Sequence, residues 1–493
     1  MFIPLLLILL IPQALAAENY YNYIETLPTQ MPIEECLSEA YECQKNNQNQ
    51  KAANIYTSIL QRSPNNFKAL LNKGKLLHAL GKPDDAFAHL SKAIEHLPQN
   101  NDDMMSAGNA LLQLGNCYFD THETEKAIAT YKKILTISDS LNAVHHNIAF
   151  TLAEQAGAYE QSLAHYRIAL QTKPNNSETH FCYALSLLAT GNLPEGFAEY
   201  EWRWKRFKHA PRQFNYPLPG LWTGTQDLKN KRILINVEQG LGDTLMFIRY
   251  AQELKKLGAF VIAETQKPLT HLLSLCPFID EVTPIGSPLP PFDYQIPMIN
   301  LPMVFKTSLN TIPASIPYLY AHQALVDLWH SRLTENHSFK IGICWRGDVA
   351  HGDHKFMPFH YFEQLAQLSG VTVYSLQKND PASSITPADK AHGTRIQEFH
   401  GDFDESHGRF MDTAAVMKNL DLVITVDTSI AHLAGGLGVP TWLILPFPAE
   451  WRWLTHGDTT RWYPSMRLFR QKKFGEWNDV FEEVKNGLHE KMK

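Results

Sequence analysis

The chain has no excess of positive charge. Its 44 Lys and Arg stand against 50 Asp and Glu, a formal net charge of −6 over 493 residues. A nucleic-acid partner needs a basic face to neutralise phosphates, so the composition argues against one. Cysteine is scarce and scattered: Cys36, Cys43, Cys117, Cys182, Cys276 and Cys344 form no close Cys-x-x-Cys pair, which removes the usual structural zinc spacing. Cys36 and Cys43 lie seven apart on one helical face, ~10 Å along it, too far to bridge. The six are expected to be reduced and structural. No Asp-x-Asp stands in a loop suited to a divalent metal, and no apolar run reaches the ~20 residues of a membrane span. The nearest to one is Met1–Ala17, MFIPLLLILLIPQALAA. Its Ala-Leu-Ala end reads as a secretory or anchoring segment. It has no Lys or Arg before the run and two prolines within it, so a misplaced start or a packed apolar end stays open.

What is present is enough chain for about two to four cores at ~150 residues each. Hydrophobic content of 44% and charged content of 19% suit a globular fold. Internal repetition sets the first domain. Ala52, Ala86, Ala127, Ser162 and Gly196 recur at steps of 34, 41, 35 and 34 residues. Four positions beyond them stand Tyr56, Leu90, Tyr131, Tyr166 and Tyr200. Twelve before stand Ala40, Gly74, Gly115, Phe150 (with Ala149 adjacent) and Ala184, and twelve after come Pro64, Pro98, Asp139 and Pro174. Each unit reads as two antiparallel helices: a small residue lets them cross closely, an aromatic fills the groove one turn on, and proline ends the pair. The long step implies an insertion near Asn100–Ser106, in the loop between units. About five repeats fill residues 33–206. They resemble the tetratricopeptide repeat family, whose arrays bind proteins or peptides.

The pattern changes after Trp204. Residues 207–230 are rich in Pro, Gly and aromatics and read as a packed linker. Strand and helix then alternate over two units, 231–335 and 336–475, before an amphipathic helix in 476–493. The strands are Arg232–Val237, Phe260–Ala263, Lys340–Trp345, Val371–Leu376, Leu422–Val426 and Thr441–Leu445. The helices are Leu245–Leu257, Phe359–Leu368, Arg409–Asn419 and Thr428–Leu437. This is the signature of doubly wound, parallel-sheet domains, so the fold class is an α-solenoid joined to two Rossmann-like α/β domains.

Three loops could carry chemistry. Gly240-Leu241-Gly242-Asp243-Thr244 follows a strand and opens a helix; its glycines permit a tight turn and close approach of a ligand, and Asp243 projects from the helix start. The plainer alternative is a helix-capping aspartate, ~1 kcal/mol of stability. Asp427-Thr428-Ser429, with His432 one turn on, places hydroxyls and free N–H groups where a pyrophosphate could bind; an ordinary capped helix with a packed histidine is the alternative. Cys344-Trp345-Arg346-Gly347-Asp348, running to Lys355 and Pro358, puts cations where a leaving diphosphate could be stabilised; otherwise it is a solvated loop.

Over about residues 230–490 these stretches resemble the bacterial heptosyltransferase-type glycosyltransferases of the GT-B fold, and more closely the bacterial proteins that join such a domain to tetratricopeptide repeats. The matching segments are EQGLGDTLMFIRY (238–250), IGICWRGD (341–348), SLQ (375–377), DLVITVDTSIAHLAGGLGVPTWLILPFPAEWRWL (421–454) and WYPSMRLFRQ (462–471). The resemblance implies an inverting, metal-independent transfer of a sugar from a nucleotide-diphosphate donor to a hydroxyl of a glycan or protein. It implies Asp243 as general base and Lys355 against the donor phosphates. It implies Gly240, Gly242, Thr244, Arg346, Gln377, Asp427, Thr428, Ser429 and His432 as substrate-binding residues. Around Lys355 the stretch HGDHKFMP (351–358) departs from the longer, arginine-rich stretch of the repeat-bearing relatives. No metal or cofactor is implied, and the cytosol is the expected compartment because nucleotide sugars are made there; the apolar N-terminus leaves a membrane surface or export open. The rival reading is a repeat scaffold carrying an inactive sugar-nucleotide-binding module.

Overall fold

The structure, a computed structural model, describes residues 31–96, 102–136, 142–206, 220–333, 338–347, 356–378 and 395–493. Met1–Ala17, residues 207–219 of the expected linker, Asp348 and Lys355 lie outside the described residues. The chain divides into two compact units, one ending at Thr179 and the other running from His180 to Lys493.

The first unit is a run of helical hairpins: Ile33–Lys45 with Asn49–Arg62, Phe67–Ala79 with Pro83–Glu95, Asp102–Asp120 with Thr124–Leu135, and Asn142–Glu154 with Tyr159–Thr172. The small residues of the repeat do what their spacing predicts. Ala40, Ala52, Ala86, Ala127 and Ser162 are fully buried, and Tyr56, Leu90, Tyr131 and Tyr166 fill the grooves beside them. A Cβ on Gly115 would sit 2.3 Å from the Tyr131 ring, and one on Gly74 would sit 2.6 Å from Leu90. In the fourth pair the crossing residue is Ala149, not Phe150. The turn Gln155–Ala158 is one residue longer than those of the first three pairs, so the register of the first helix shifts by one. Each turn needs one left-handed residue: Asn47, Gly81, His122 and Gly157 supply it in the first four pairs. The inserted segment is not all loop. Residues from Asp102 onward extend the first helix of the third pair to 19 residues, against 13 in its counterparts.

The second unit opens with the fifth hairpin, Ser177–Ala189 and Leu193–Tyr200, whose first helix crosses the unit boundary. A short helix, Arg203–Arg206, follows. Two parallel sheets come next. The first has β1 Arg232–Asn236, β2 Phe260–Thr265, β3 Glu281–Pro284 and β4 Tyr294–Pro297, in the order β3-β2-β1-β4. The second has β5 Phe339–Cys344, β6 Val371–Ser375, β7 Leu422–Val426, β8 Thr441–Leu445 and β9 Met466–Arg470, in the order β6-β5-β7-β8-β9. β7 and β8 are buried at every position, as central parallel strands are. The single helix expected over Leu245–Leu257 is two, Leu241–Phe247 and Ala251–Lys256, joined by a 3₁₀ turn. Of the expected linker, Leu221 pairs with Gln295 of β4 and Trp222 is buried. The helix Asn478–Lys491 packs Val480, Phe481, Val484 and Leu488 into the core of the second sheet.

All six cysteines are buried and free. No helix among the described residues is long and apolar enough to cross a membrane.

Two glycines of one helix, Asp102–Asp120, separate helix propensity from packing. A Cβ on Gly108 would make only an ordinary 3.7 Å contact with Ile134. Gly108→Ala should therefore stabilise the array by about 0.5–1 kcal/mol through helix propensity. Gly115→Ala should destabilise it by about 1–2 kcal/mol, since overpacking against Tyr131 outweighs the same gain. Denaturant unfolding of both variants checks the pair of signs.

Candidate functional site

The site is built from loops at the carboxyl ends of strands, the place where open α/β sheets bind ligands. The loop after β1, Glu238–Asp243, is held at nearly every residue. Arg203, itself buried, donates Nε and Nη2 to the Glu238 carboxylate at 3.0 and 3.1 Å and Nη1 to Glu201 at 2.8 Å. Ile299 N–H adds a bond to Glu238 at 3.1 Å. Burial raises the Glu238 carboxyl above its ordinary value, with Arg203 acting against that rise. Gln239 donates to the Tyr200 hydroxyl at 2.8 Å, and its carbonyl accepts from Gln266 at 3.2 Å. These bonds support a left-handed backbone at a non-glycine residue, φ +58°, which otherwise costs roughly 1–2 kcal/mol.

The glycines therefore serve a different purpose from the expected tight turn. Gly240, the residue before the helix, has φ −86°. Gly242 stands where a Cβ would come within 2.9 Å of His432 Cδ2. It permits close approach of the two α/β halves at that point. Asp243 turns back so that Oδ2 accepts the Gly240 N–H at 2.9 Å, which caps the helix. Its Oδ1 accepts from Arg452, which comes from the loop after β8 in the other half. Thr244 is fully buried and its hydroxyl donates to Gln266 at 2.9 Å.

In the second half, Thr428 caps the nine-residue helix Ser429–Leu437 by accepting the Ile430 N–H at 3.2 Å. Ser429 is the first residue of that helix and is half-buried. Asp427 accepts from the Trp453 indole N–H at 2.8 Å. His432 is buried; its Nδ1 lies 2.8 Å from the Tyr463 hydroxyl, its Nε2 lies 4.0 Å from Asp427, and its ring stacks on Trp453. Burial, then Arg452 and Arg249, push it well below the ordinary histidine value. Arg249 is a buried cation satisfied by carbonyls of Met246, Pro313 and Trp462 and by the Tyr318 hydroxyl, over the rings of Tyr318, Trp462 and Tyr463.

Gln377 and Arg346 meet, through the backbone. The Gln377 amide accepts the Arg346 N–H at 3.1 Å and donates to the Arg346 carbonyl at 3.0 Å, which fixes the end of β5. Beside them a cleft of about 260 Å³ opens between Ser375–Lys378, Glu398–Gly401 and Phe403–Glu405. Phe399 and Phe403 stack in its wall at 4.5 Å. Asp404, also in its lining, accepts the N–H groups of Asp412 and Thr413 at 2.8 and 3.0 Å. Among the described residues no group of three or more His, Cys, Asp or Glu could hold a metal.

Thus Asp243, Gly242, Asp427, Thr428, Ser429 and His432 belong to one region where the two halves touch, while Arg346 and Gln377 line up at the end of β5. Lys355 falls outside the described residues. Arg452, Trp453, Tyr463 and Arg249 do not stand out in the sequence. A signal is present in Trp451-Arg452-Trp453: a cation between two aromatics, just after a buried strand, has a partner to reach.

A tetratricopeptide repeat family model matches residues 65–140, so that repeat type occupies this stretch. Over 466 aligned residues the chain is 26% identical to Protein FlbA of Caulobacter vibrioides (strain ATCC 19089 / CIP 103742 / CB 15), covering 89% of this chain and 75% of that one. Among solved structures, the crystal structure of MamA is 20% identical and covers 34% of this chain and 97% of its own, with TM-score 0.31. A thermophilic tetratricopeptide protein of Thermus thermophilus is 18% identical, at 37% and 93% coverage and TM-score 0.29.

A histidine held neutral in the fold binds its proton only on unfolding. The unfolded chain takes up that proton below pH ~6.5, so this part of the stability is complete above that value and is lost as pH falls. His432→Gln should shrink the stability difference between pH 7.5 and 5.5 by about 1.3 kcal/mol relative to the parent. Urea unfolding at the two pH values measures it.

Proposed function

We propose that residues 230–490 form an inverting, metal-independent glycosyltransferase that moves a sugar from a nucleotide-diphosphate donor to a hydroxyl acceptor, and that the helical repeats recruit a polypeptide. The observation that carries the reading is the meeting of two strand-end loops. Asp243 from the first sheet and the Asp427–His432 segment from the second face one another where Gly242 touches His432. A pair of doubly wound domains joined at their carboxyl-end loops is suited to hold an acceptor on one side and a nucleotide on the other.

The donor half has the right chemistry for a nucleoside diphosphate. The helix Ser429–Leu437 begins beside Gly242, where its N-terminal N–H groups and positive dipole end suit an anion. The 260 Å³ cleft offers an aromatic wall and a polar rim, the mixture a nucleobase requires. Buried Arg249, with no carboxylate paired to it among the described residues, leaves positive potential near His432. Such fixed charge stabilises a departing diphosphate without reorganisation.

In the reaction, the acceptor oxygen attacks the anomeric carbon from the face opposite the phosphate. The new C–O bond forms as the anomeric carbon–phosphate oxygen bond breaks, and its electron pair leaves with the nucleoside diphosphate. The acceptor proton passes to Asp243 and then to water. The Asp243 oxygens each carry one hydrogen bond, which leaves a lone pair on each for the acceptor O–H.

Incubation with a panel of nucleotide sugars should release one nucleoside diphosphate and yield a glycoside of inverted configuration. Asp243→Asn should lower kcat by about 10²–10⁴-fold while the protein stays folded. Nucleotide binding without release of product would instead support an inactive binding module.

A further inference from the structure

Arg452 stands on the loop after β8, in the second half, and its guanidinium reaches a carboxylate that follows β1 in the first half. It is nearly buried, with a side chain 10% exposed against 15% for Asp243. Its geometry is fixed from three sides. Nη1 donates to Glu450 Oε1, the Arg452 backbone N–H donates to the other Glu450 oxygen at 3.1 Å, and the guanidinium lies 4.4 Å from the Trp451 ring centre. Arg470 secures the rest of the loop by donating to the carbonyls of Trp453, Leu454, His456 and Gly457.

Capping the helix at Gly240 uses one oxygen of Asp243 and needs no second partner. The cation is extra, and it fixes the carboxylate's rotation. The next residue does the matching job for the donor half: the Trp453 indole holds Asp427. One loop, Glu450–Trp453, thus sets both aspartates of the site, reaching across to one and along its own half to the other.

We infer that Arg452 is a positioning residue for Asp243, locking the carboxylate from the opposite half so that the base takes its working orientation only when the two halves are together. The inference rests on the glycosyltransferase reading above. Arg452 acts through Asp243 and does not itself touch the reactants.

The test uses the full chain as wild type, Arg452→Met, Arg452→Lys, Asp243→Asn and the double variant Arg452→Met/Asp243→Asn. Amide hydrogen exchange reads positioning with no need for turnover. Arg452→Met should speed exchange over residues 240–247 and leave the sheets protected, with Arg452→Lys in between. Kinetics read the consequence: Arg452→Met should lower kcat by about 10²-fold, as misplacement of a reacting group does, with the donor KM within about twofold. In the Asp243→Asn background the same change should cost nothing further. An equal loss in both backgrounds, or a raised donor KM at unchanged kcat, would make Arg452 a ligand of the reactants and overturn the inference. Unchanged exchange at 240–247 in Arg452→Met would overturn it too. Absence of turnover in the wild type would end the glycosyltransferase reading, and the exchange result would still decide whether Arg452 positions Asp243.

Discussion

The loop Glu238–Asp243 is the constraint on which the second unit depends. Five side chains from four separate segments converge on it: Tyr200 from the last helical pair and Arg203 from the short helix after it, Gln266 from the end of β2, and His432 and Arg452 from the second sheet's half. Glu238, Gln239 and Asp243 are each held there by side-chain hydrogen bonds. The Arg203–Glu238 pair is buried on both sides, at 3% and 6% exposure. Such a pair contributes little net stability when intact, yet losing one partner costs about 3–5 kcal/mol because the other charge is left bare. Its value lies in specifying one arrangement of the loop. The fifth helical hairpin, a repeat by its sequence, is therefore also a wall of the candidate site.

The electrostatics follow from the same packing. Arg452 has two carboxylates, and burial of its charge is outweighed by Glu450 and Asp243, so it stays a cation. Arg249 has none among the described residues, and depends on carbonyls and aromatic faces. His432 lies near both and is held neutral. The region gathers two fixed cations, Arg249 and Arg452, one neutral imidazole and the carboxylates of Asp243, Asp427 and Glu450.

The repeats are legible because their signal is local and repeated: a small residue and an aromatic or leucine four positions on, five times over. β1, β5, β7 and β8 are legible because buried parallel strands read as continuous apolar runs. β3, β4 and β9 escape the pattern, being four or five residues long and carrying polar or proline residues such as Glu281, Pro284, Gln295 and Arg467. The insertion reads as loop because spacing alone does not distinguish a longer loop from a longer helix. The glycine loop is legible in position and misleading in purpose: the left-handed residue is Gln239, and Gly242 makes room for a histidine about 190 positions away. For Arg452 the sequence hints at a buried cation and does not say what it pairs with. Its partner lies 209 residues earlier, and no local pattern records a contact made only when two domains meet.

Binding of a nucleoside diphosphate at the Ser429–Leu437 helix is tested most directly by thermal unfolding of the full chain with a panel of nucleoside mono- and diphosphates. At about 100 times its dissociation constant, a ligand of the folded state adds roughly 2.7 kcal/mol, enough to raise the midpoint by about 4 °C in a unit of this size. The predicted result is such a rise with one nucleoside diphosphate, smaller with its monophosphate, and lost in Asp427→Ala. No rise with any nucleotide, in a chain that otherwise unfolds cooperatively, would contradict a diphosphate site there.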